Sequence, residues 1–182
     1  HPAIVVAVQC PKGATWSPVE PDDDGFWRAR SDGVEPAMRG VESLIATLAA
    51  DPAVDRSRIY LTGLSMGGFG SWDLVGRHGD WFAAVVPICG GGDPADAQAI
   101  VESGVPIWNL HGDADRVVPV ELSRTMVGAI RAAGGRIGNT ELPGVGHNSW
   151  SWAYGPNGVV DWMFAQRRPR PAAVGVDPPA HP

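Results

Sequence analysis

Short apolar runs alternate along the chain with longer amphipathic segments, and this pattern predicts strands that alternate with helices. Runs rich in Ile, Val and Leu predict buried strands at residues 4–8, 59–62, 83–88 and 106–110. A weaker strand is predicted at residues 136–142. Apolar residues spaced three or four apart predict helices at about residues 36–48, 66–77, 94–101, 120–133 and 159–166. Continuously apolar strands that alternate with helices are typical of the α/β class, with a mostly parallel sheet covered by helices on both faces.

The apolar pattern also divides the chain. With 182 residues, the chain is long enough for one domain with a sizeable core, which we assign to residues 1–166. Residues 167–182 are rich in Pro and Ala and have almost nothing to bury, so we expect a disordered tail. Residues 9–35 are rich in Pro, Gly, Asp and Trp, which predicts a long ordered loop.

Composition narrows the class of partner. Apolar residues make up 44% and charged residues 19%, as is ordinary for globular proteins. A net charge of -6 argues against nucleic acid or an anionic membrane as the main partner. No apolar run approaches the ~20 residues that span a bilayer. Cys10 and Cys89 are too few for a disulfide framework or a zinc site, and we expect buried thiols. The chain begins at His1, which leaves the compartment open.

A candidate nucleophile lies between the second predicted strand and the helix after it. Gly63-Leu64-Ser65-Met66-Gly67 matches the G-x-S-x-G nucleophile elbow. A serine on this sharp turn is lifted clear of the sheet, and glycines leave room for the backbone to pass closely. The helix that follows directs free N–H groups at the site, so the Met66 N–H would stabilise an oxyanion formed beside Ser65.

A serine nucleophile needs a base, and the base needs a carboxylate to orient it. His147 lies in a glycine-flanked loop after the last predicted strand, where the order Ser, acid, His places the base. Asp113 and Asp115 both follow the strand at 106–110; we favour Asp115 as the acid and interpret Asp113 as a turn former. His111 is interpreted as turn architecture. Since all these residues follow strands, they are expected to meet at one sheet edge.

Other chemistries are poorly supported. His111, Asp113, Asp115 and His147 could ligate a metal, but no H-x-x-x-H or C-x-x-C spacing accompanies them, so we expect no metal. No nucleotide-binding glycine motif is present, and no cofactor is expected.

Aromatic side chains near the candidate site suggest a substrate pocket. We predict that Trp150, Trp152 and Trp16 contact substrate, and that Trp27 overhangs the cleft with Trp16. Core packing is an equal alternative for each of these side chains.

Three stretches resemble the α/β-hydrolase superfamily, and more narrowly the dienelactone-hydrolase and prolyl-oligopeptidase-like esterases, which include predicted peptidases and phospholipase/carboxylesterase-like proteins. They are residues 58–68 (RIYLTGLSMGG), 111–119 (HGDADRVVP) and 146–150 (GHNSW). The resemblance implies an α/β-hydrolase fold, with Ser65 as nucleophile, Asp115 as acid, His147 as base and the Met66 N–H as one oxyanion donor. It also implies a small-molecule ester as substrate.

The chain departs from that family in one respect. The family has a further strand between those that match residues 4–8 and 59–62, and the loop after that strand supplies the second oxyanion N–H. We therefore expect the sequence to be incomplete at its N-terminus. The predicted function is a serine hydrolase of carboxylic esters; an ester is favoured over a peptide because no propeller or other gating domain is seen. The alternatives are a serine peptidase of the prolyl-oligopeptidase type and a non-catalytic hydrolase-like remnant.

Overall fold

The computed structural model describes residues 2–21, 27–29, 33–156 and 159–168. Within these residues, six strands and six α-helices follow in this order: β1 Val19–Pro21, β2 Trp27–Ala29, α1 Pro36–Ala49, β3 Tyr60–Leu64, α2 Met66–His78, β4 Ala84–Ile88, α3 Ala97–Ser103, β5 Trp108–Gly112, α4 Val120–Ala132, β6 Gly138–Leu142, α5 Trp150–Ala153 and α6 Val159–Ala165. The five helices predicted from apolar spacing are all present, because their stripes are long enough to bury one face.

The main sheet is parallel and has four strands in the order β3-β4-β5-β6. Each strand is next to its neighbour in the sequence, and a helix connects each pair of neighbours. This confirms the α/β class predicted from the alternation of strands and helices. The carboxyl ends of all four strands lie along one edge, where open α/β sheets carry their sites.

Both faces of the sheet are covered, and β4 shows how. Its side chains alternate: Val85 enters a core cluster formed with α1 to α4, whereas Val86 and Ile88 enter a second cluster formed with α5 and α6. All five residues of β4 are buried, as expected for a strand between two apolar layers. The sheet thus has the two-sided cover predicted for it.

The strand predicted at residues 4–8 is wrong. These residues are not in a strand, and Ile4 and Val5 are 77% and 84% exposed. A strand satisfies its N–H and C=O groups only beside another strand, and no described strand pairs with this segment. The prediction that the strand at 59–62 is buried also needs correction. Among the described strands, β3 lies at one edge of the sheet, and Thr62 and Leu64 are exposed.

The structure also differs from the predicted elements at other positions. The loop predicted over residues 9–35 contains the antiparallel pair β1–β2. The short helix α5 was not predicted. At the other end, the Arg168 N–H donates to Ser57 O at 3.0 Å, so the first residues of the predicted tail contact the domain. Residues 169–182 lie outside the described part of the chain. No helix within the described residues is long and apolar enough to cross a membrane.

A partly buried carboxyl makes the stability of the fold depend on pH. Asp96 directly precedes α3, and its Oδ2 packs against Gly76 of α2. Burial, with smaller contributions from Asp93 and Asp73, raises the pKa of Asp96 to about 6. The folded state therefore binds this proton more tightly than the unfolded chain, whose Asp pKa is about 3.9. The stabilising contribution is complete below about pH 4 and is lost as the pH rises through about 6.

We expect Asp96→Asn to be more stable than the wild type at pH 7.5, by about 1–2 kcal/mol after allowance for partial exposure. The two free energies of unfolding should converge near pH 4, where the wild-type carboxyl is protonated. Denaturant unfolding at both pH values measures the difference. The exposed Asp80→Asn serves as the control. A gap of equal size at the two pH values would contradict this explanation.

Candidate active site

Ser65 occupies the turn between β3 and α2. Its backbone has φ 52° and ψ -118°, a conformation that non-glycine residues rarely adopt and that costs on the order of 1–3 kcal/mol. Two backbone hydrogen bonds hold the turn: Ser65 N–H donates to Ile88 O at 3.0 Å, and Phe69 N–H donates to Ser65 O at 3.1 Å. The structure therefore has the strand, strained turn and helix that the G-x-S-x-G pattern predicts.

The first glycine of this pentapeptide is required by close packing. A Cβ at Gly63 would lie 2.2 Å from Gly67 O and 2.9 Å from Ser71 Oγ, so backbone would have to move. A Cβ at Gly67 would meet nothing within 4 Å. The two glycines of the motif thus differ in what they do: Gly63 permits the turn, whereas Gly67 tolerates a side chain.

We expect Gly63→Ala to lower the free energy of unfolding by about 1–3 kcal/mol, because the added methyl overpacks the turn. Gly67→Ala, in the first turn of α2, should be neutral or stabilising by up to about 1 kcal/mol. Denaturant unfolding of the two variants makes a matched comparison. Equal losses in both would show that the close approach at Gly63 is not what the turn depends on.

Three side chains predicted to act together are in contact. His147 Nε2 lies 2.9 Å from Ser65 Oγ, and His147 Nδ1 lies 2.8 Å from Asp115 Oδ2. A carboxylate only accepts hydrogen bonds, so we assign the ring proton to Nδ1, which leaves Nε2 free to accept from the Ser65 hydroxyl. The Asp115 side chain is fully buried, whereas that of His147 is 21% exposed. His147 is thus fixed from the interior and accessible at the end that faces Ser65.

Asp115 is held as an anion. Its Oδ1 accepts hydrogen bonds from the backbone N–H groups of Val117 and Val118, at 2.8 and 3.0 Å. Burial acts to raise the pKa of Asp115, but the hydrogen bonds from His147 and from these two amides hold the pKa below its ordinary value. A carboxylate in this state stabilises a positive charge on the His147 ring.

The competing acid, Asp113, has a different position. Its Oδ1 accepts a hydrogen bond from Gly144 N–H at 2.6 Å, and the residue is exposed. It therefore closes the loops after β5 and β6, as expected for a turn former. The geometry brings Asp115, and not Asp113, to His147.

The positions of the other predicted site residues do not by themselves assign a role to them. Met66 is the first residue of α2, where N–H groups have no partner within the helix. The Trp150 ring meets the His147 ring edge-on, with centroids 5.3 Å apart. Trp152 packs against the second core cluster, and Trp16 packs against Gly70 of α2, so core packing explains both. Their substrate-binding roles stay predictions, and the side chain of Trp27 lies outside the described part of the structure.

Cys89 lies beneath the candidate nucleophile. Both cysteines are free and buried, as expected, but the sequence did not indicate that Cys89 Sγ accepts a hydrogen bond from Ser65 N–H at 3.3 Å. Burial raises the pKa of the Cys89 thiol to about 11. Potential metal ligands come together at one place among the described residues. Ligand atoms of Cys89, Asp115 and His147 lie within 4.8 Å of one another there. Each of these residues already makes a hydrogen bond within the site.

The prediction that His111 belongs to a turn is wrong. It lies within β5 rather than in a turn, its side chain is fully buried, and its Nε2 is 3.2 Å from Asp115 Oδ2. One signal could have shown this: a histidine inside an apolar strand needs a polar partner, and Asp115 follows four residues later.

Comparison with known proteins identifies relatives of this chain. A family model described as phospholipase/carboxylesterase matches residues 2–153. The crystal structure of a thermostable esterase superposes with a TM-score of 0.78 at 36% identity, covering 88% of this chain and 43% of that one.

Two curated sequences match shorter stretches. The putative esterase NocK of Nocardia uniformis subsp. tsuyamanensis is 29% identical over 79 residues, which is 43% of this chain and 23% of the relative. Esterase LipC of Mycobacterium tuberculosis (strain ATCC 25618 / H37Rv) is 34% identical over 74 residues, which is 40% of this chain and 16% of the relative. The matches thus span less than a quarter of either curated relative and under half of the solved esterase.

Proposed function

This chain belongs to the phospholipase/carboxylesterase family of the α/β-hydrolase superfamily, and on that premise we propose that it hydrolyses carboxylic esters of small molecules through an acyl-enzyme intermediate. The observation that carries the proposal is the position of His147, within hydrogen-bond distance of both the Ser65 hydroxyl and the Asp115 carboxylate. A base that is oriented on one side and in contact with a hydroxyl on the other activates a nucleophile.

In the acylation step, Ser65 Oγ attacks the ester carbonyl carbon while His147 Nε2 takes the hydroxyl proton. The carbonyl oxygen becomes an oxyanion, and the Met66 N–H at the start of α2 is one donor to it. When the intermediate collapses, His147 gives its proton to the leaving alcohol, and the acyl group remains on Ser65. His147 then takes a proton from a water molecule, which attacks the acyl carbon; as the bond to Ser65 Oγ breaks and the acid leaves, His147 returns that proton to Oγ.

Asp115 has two roles in this sequence. Its hydrogen bond to Nδ1 keeps the ring in the tautomer whose Nε2 accepts the serine proton. Its negative charge stabilises the imidazolium that forms when Nε2 takes that proton. Since the carboxylate is fully buried, water screens the interaction less than it would at the surface.

The names of three similar proteins support an ester over a peptide as substrate. The solved structure and both curated relatives are called esterases. An ester is also chemically easier, because its carbonyl is less stabilised by resonance than that of an amide, and an alkoxide is a weaker base than an amide anion. The leaving group is therefore the feature of the substrate that separates the esterase from the peptidase alternative.

The test uses one acyl group on two leaving groups. We expect p-nitrophenyl acetate and butyrate to be hydrolysed, and the matching p-nitroanilides to be hydrolysed far more slowly, as measured by kcat/KM. A preference for the anilides would favour a peptidase. If a folded chain hydrolysed neither substrate, the non-catalytic alternative would stand.

A further inference from the structure

Beyond the three side chains above, we propose that His111 is a positioning residue, whose Nε2–H holds the Asp115 carboxylate in the orientation in which it binds His147. This inference rests on the proposed function, because it assigns a part in that reaction to a residue that touches neither substrate nor Ser65. The sequence pattern predicted a turn position for His111, and no hydrogen bond of the proposed catalytic steps involves it.

The contacts of the His111 ring determine where its proton lies. Nε2 is 2.9 Å from Val118 O and 3.2 Å from Asp115 Oδ2. A backbone carbonyl and a carboxylate oxygen both accept only, so Nε2 must carry the proton and share it between them. His111 is therefore a hydrogen-bond donor to the carboxylate that orients His147.

The opposite side of the ring is fixed from α4. His111 Nδ1 is 2.7 Å from Ser123 Oγ, and both side chains are buried. Burial lowers the pKa of His111, which favours a neutral ring whose Nδ1 accepts from Ser123. The Ser123 hydroxyl shares its proton with two further acceptors, Gly90 O at 3.0 Å and Asn109 Oδ1 at 3.2 Å. A neutral donor orients Asp115 without adding a positive charge. The carboxylate thus keeps its full charge for His147.

Among the described residues, His111 Nε2 is the one donor to Asp115 Oδ2 apart from His147 itself. Oδ1 accepts from Val117 and Val118, while Oδ2 accepts from His147 Nδ1 and His111 Nε2. The side chain is fully buried, so in the wild type its donors come from the protein. Val118 contributes twice, since its N–H donates to Asp115 and its carbonyl accepts from His111. Removing the Nε2–H would leave Oδ2 with no donor except the His147 ring that it orients, so only the two amides at Oδ1 would still fix the carboxylate.

Two amide substitutions separate positioning from packing. In His111→Gln, the side-chain nitrogen reaches the position of Nε2 and can still donate to Asp115. In His111→Asn, the shorter amide reaches only the position of Nδ1, so it can contact Ser123 but not the carboxylate. Both replacements are polar, uncharged and smaller than the ring.

We expect His111→Asn to lower kcat for p-nitrophenyl acetate by about tenfold to a hundredfold with KM unchanged, a smaller loss than the ~10⁴ of losing the carboxylate itself. His111→Gln should restore most of that loss. Rates are expressed per active site titrated with a fluorophosphonate, so that unfolded chains do not count. Equal kcat values per site in the two variants would overturn the proposal and leave His111 a packing residue.

A measurement on the wild-type chain does not depend on whether either variant folds. Nitrogen-15 NMR of labelled histidines should show His111 neutral, with its proton on Nε2. A doubly protonated ring, with Ser123 donating to Gly90 O at 3.0 Å instead of to His111, would still donate from Nε2 to Asp115 and would support the proposal. A neutral ring with its proton on Nδ1 would overturn it, because Nε2 would then have no proton to donate.

Ser65→Ala measured in parallel separates this inference from the proposed function. If Ser65→Ala hydrolyses the ester as fast as the wild type, the proposed function fails and the role of His111 fails with it. If Ser65→Ala is inactive and His111→Asn is as active as the wild type, only the role of His111 is lost.

Discussion

Replacing Ser65 with alanine is expected to lower kcat for p-nitrophenyl acetate by about 10⁶, the size of effect that follows loss of the nucleophile in a serine hydrolase. Alanine keeps the Cβ and removes the hydroxyl, whose hydrogen bond goes to His147. The turn is held by backbone hydrogen bonds, so the fold should persist. Steady-state kinetics and the free energy of unfolding, measured on the same preparation, separate lost chemistry from lost structure.

Ser43→Ala is the matched control. Ser43 is exposed on α1, where alanine is a good helix former. Its kcat should equal that of the wild type. If Ser65→Ala kept a substantial part of the activity while Ser43→Ala behaved as expected, hydrolysis would have to come from another group.

Asp115→Asn is expected to lower kcat by about 10⁴ while the substrate still binds. An asparagine amide can donate to His147 Nδ1, which would move the ring proton to Nε2 and leave that atom unable to accept from Ser65. The imidazolium formed in acylation would also lose the buried negative charge beside it. The kcat and KM for one ester, measured separately, distinguish this loss from weaker binding.

Asp113→Asn makes the same chemical change two residues away. The asparagine oxygen can still accept from Gly144 N–H, so the turn should be kept and kcat should be close to that of the wild type. A large loss in Asp113→Asn with little loss in Asp115→Asn would reverse the assignment of the acid. The pair thus tests a choice that spacing in the sequence alone left open.

Much of the fold could be predicted because the signals are local. The helix α1 begins at Pro36 and its apolar stripe faces the core, so composition and spacing both mark it. β4 is continuously apolar and buried on both faces. The turn at Ser65 could be predicted for the same reason, since G-x-S-x-G contains both the nucleophile and the glycine that the turn requires.

The errors concern features that depend on partners far away in the sequence. Residues 4–8 have the composition of a buried strand, but a strand also needs a neighbour, and composition does not reveal whether one is present. The predicted strand ended at residue 110, two residues before β5 ends, so His111 was interpreted as part of a turn. Its role depends on Ser123 of α4 and on the fold of the loop around Val118.

The proposal that Ser65 is an activated nucleophile is tested most directly by mass spectrometry of the chain after treatment with a fluorophosphonate. We predict one adduct per folded chain, on the peptide that contains Ser65, with none in Ser65→Ala and much slower labelling in Asp115→Asn. A folded wild-type chain without an adduct, or with the adduct on another residue, would contradict the proposed mechanism.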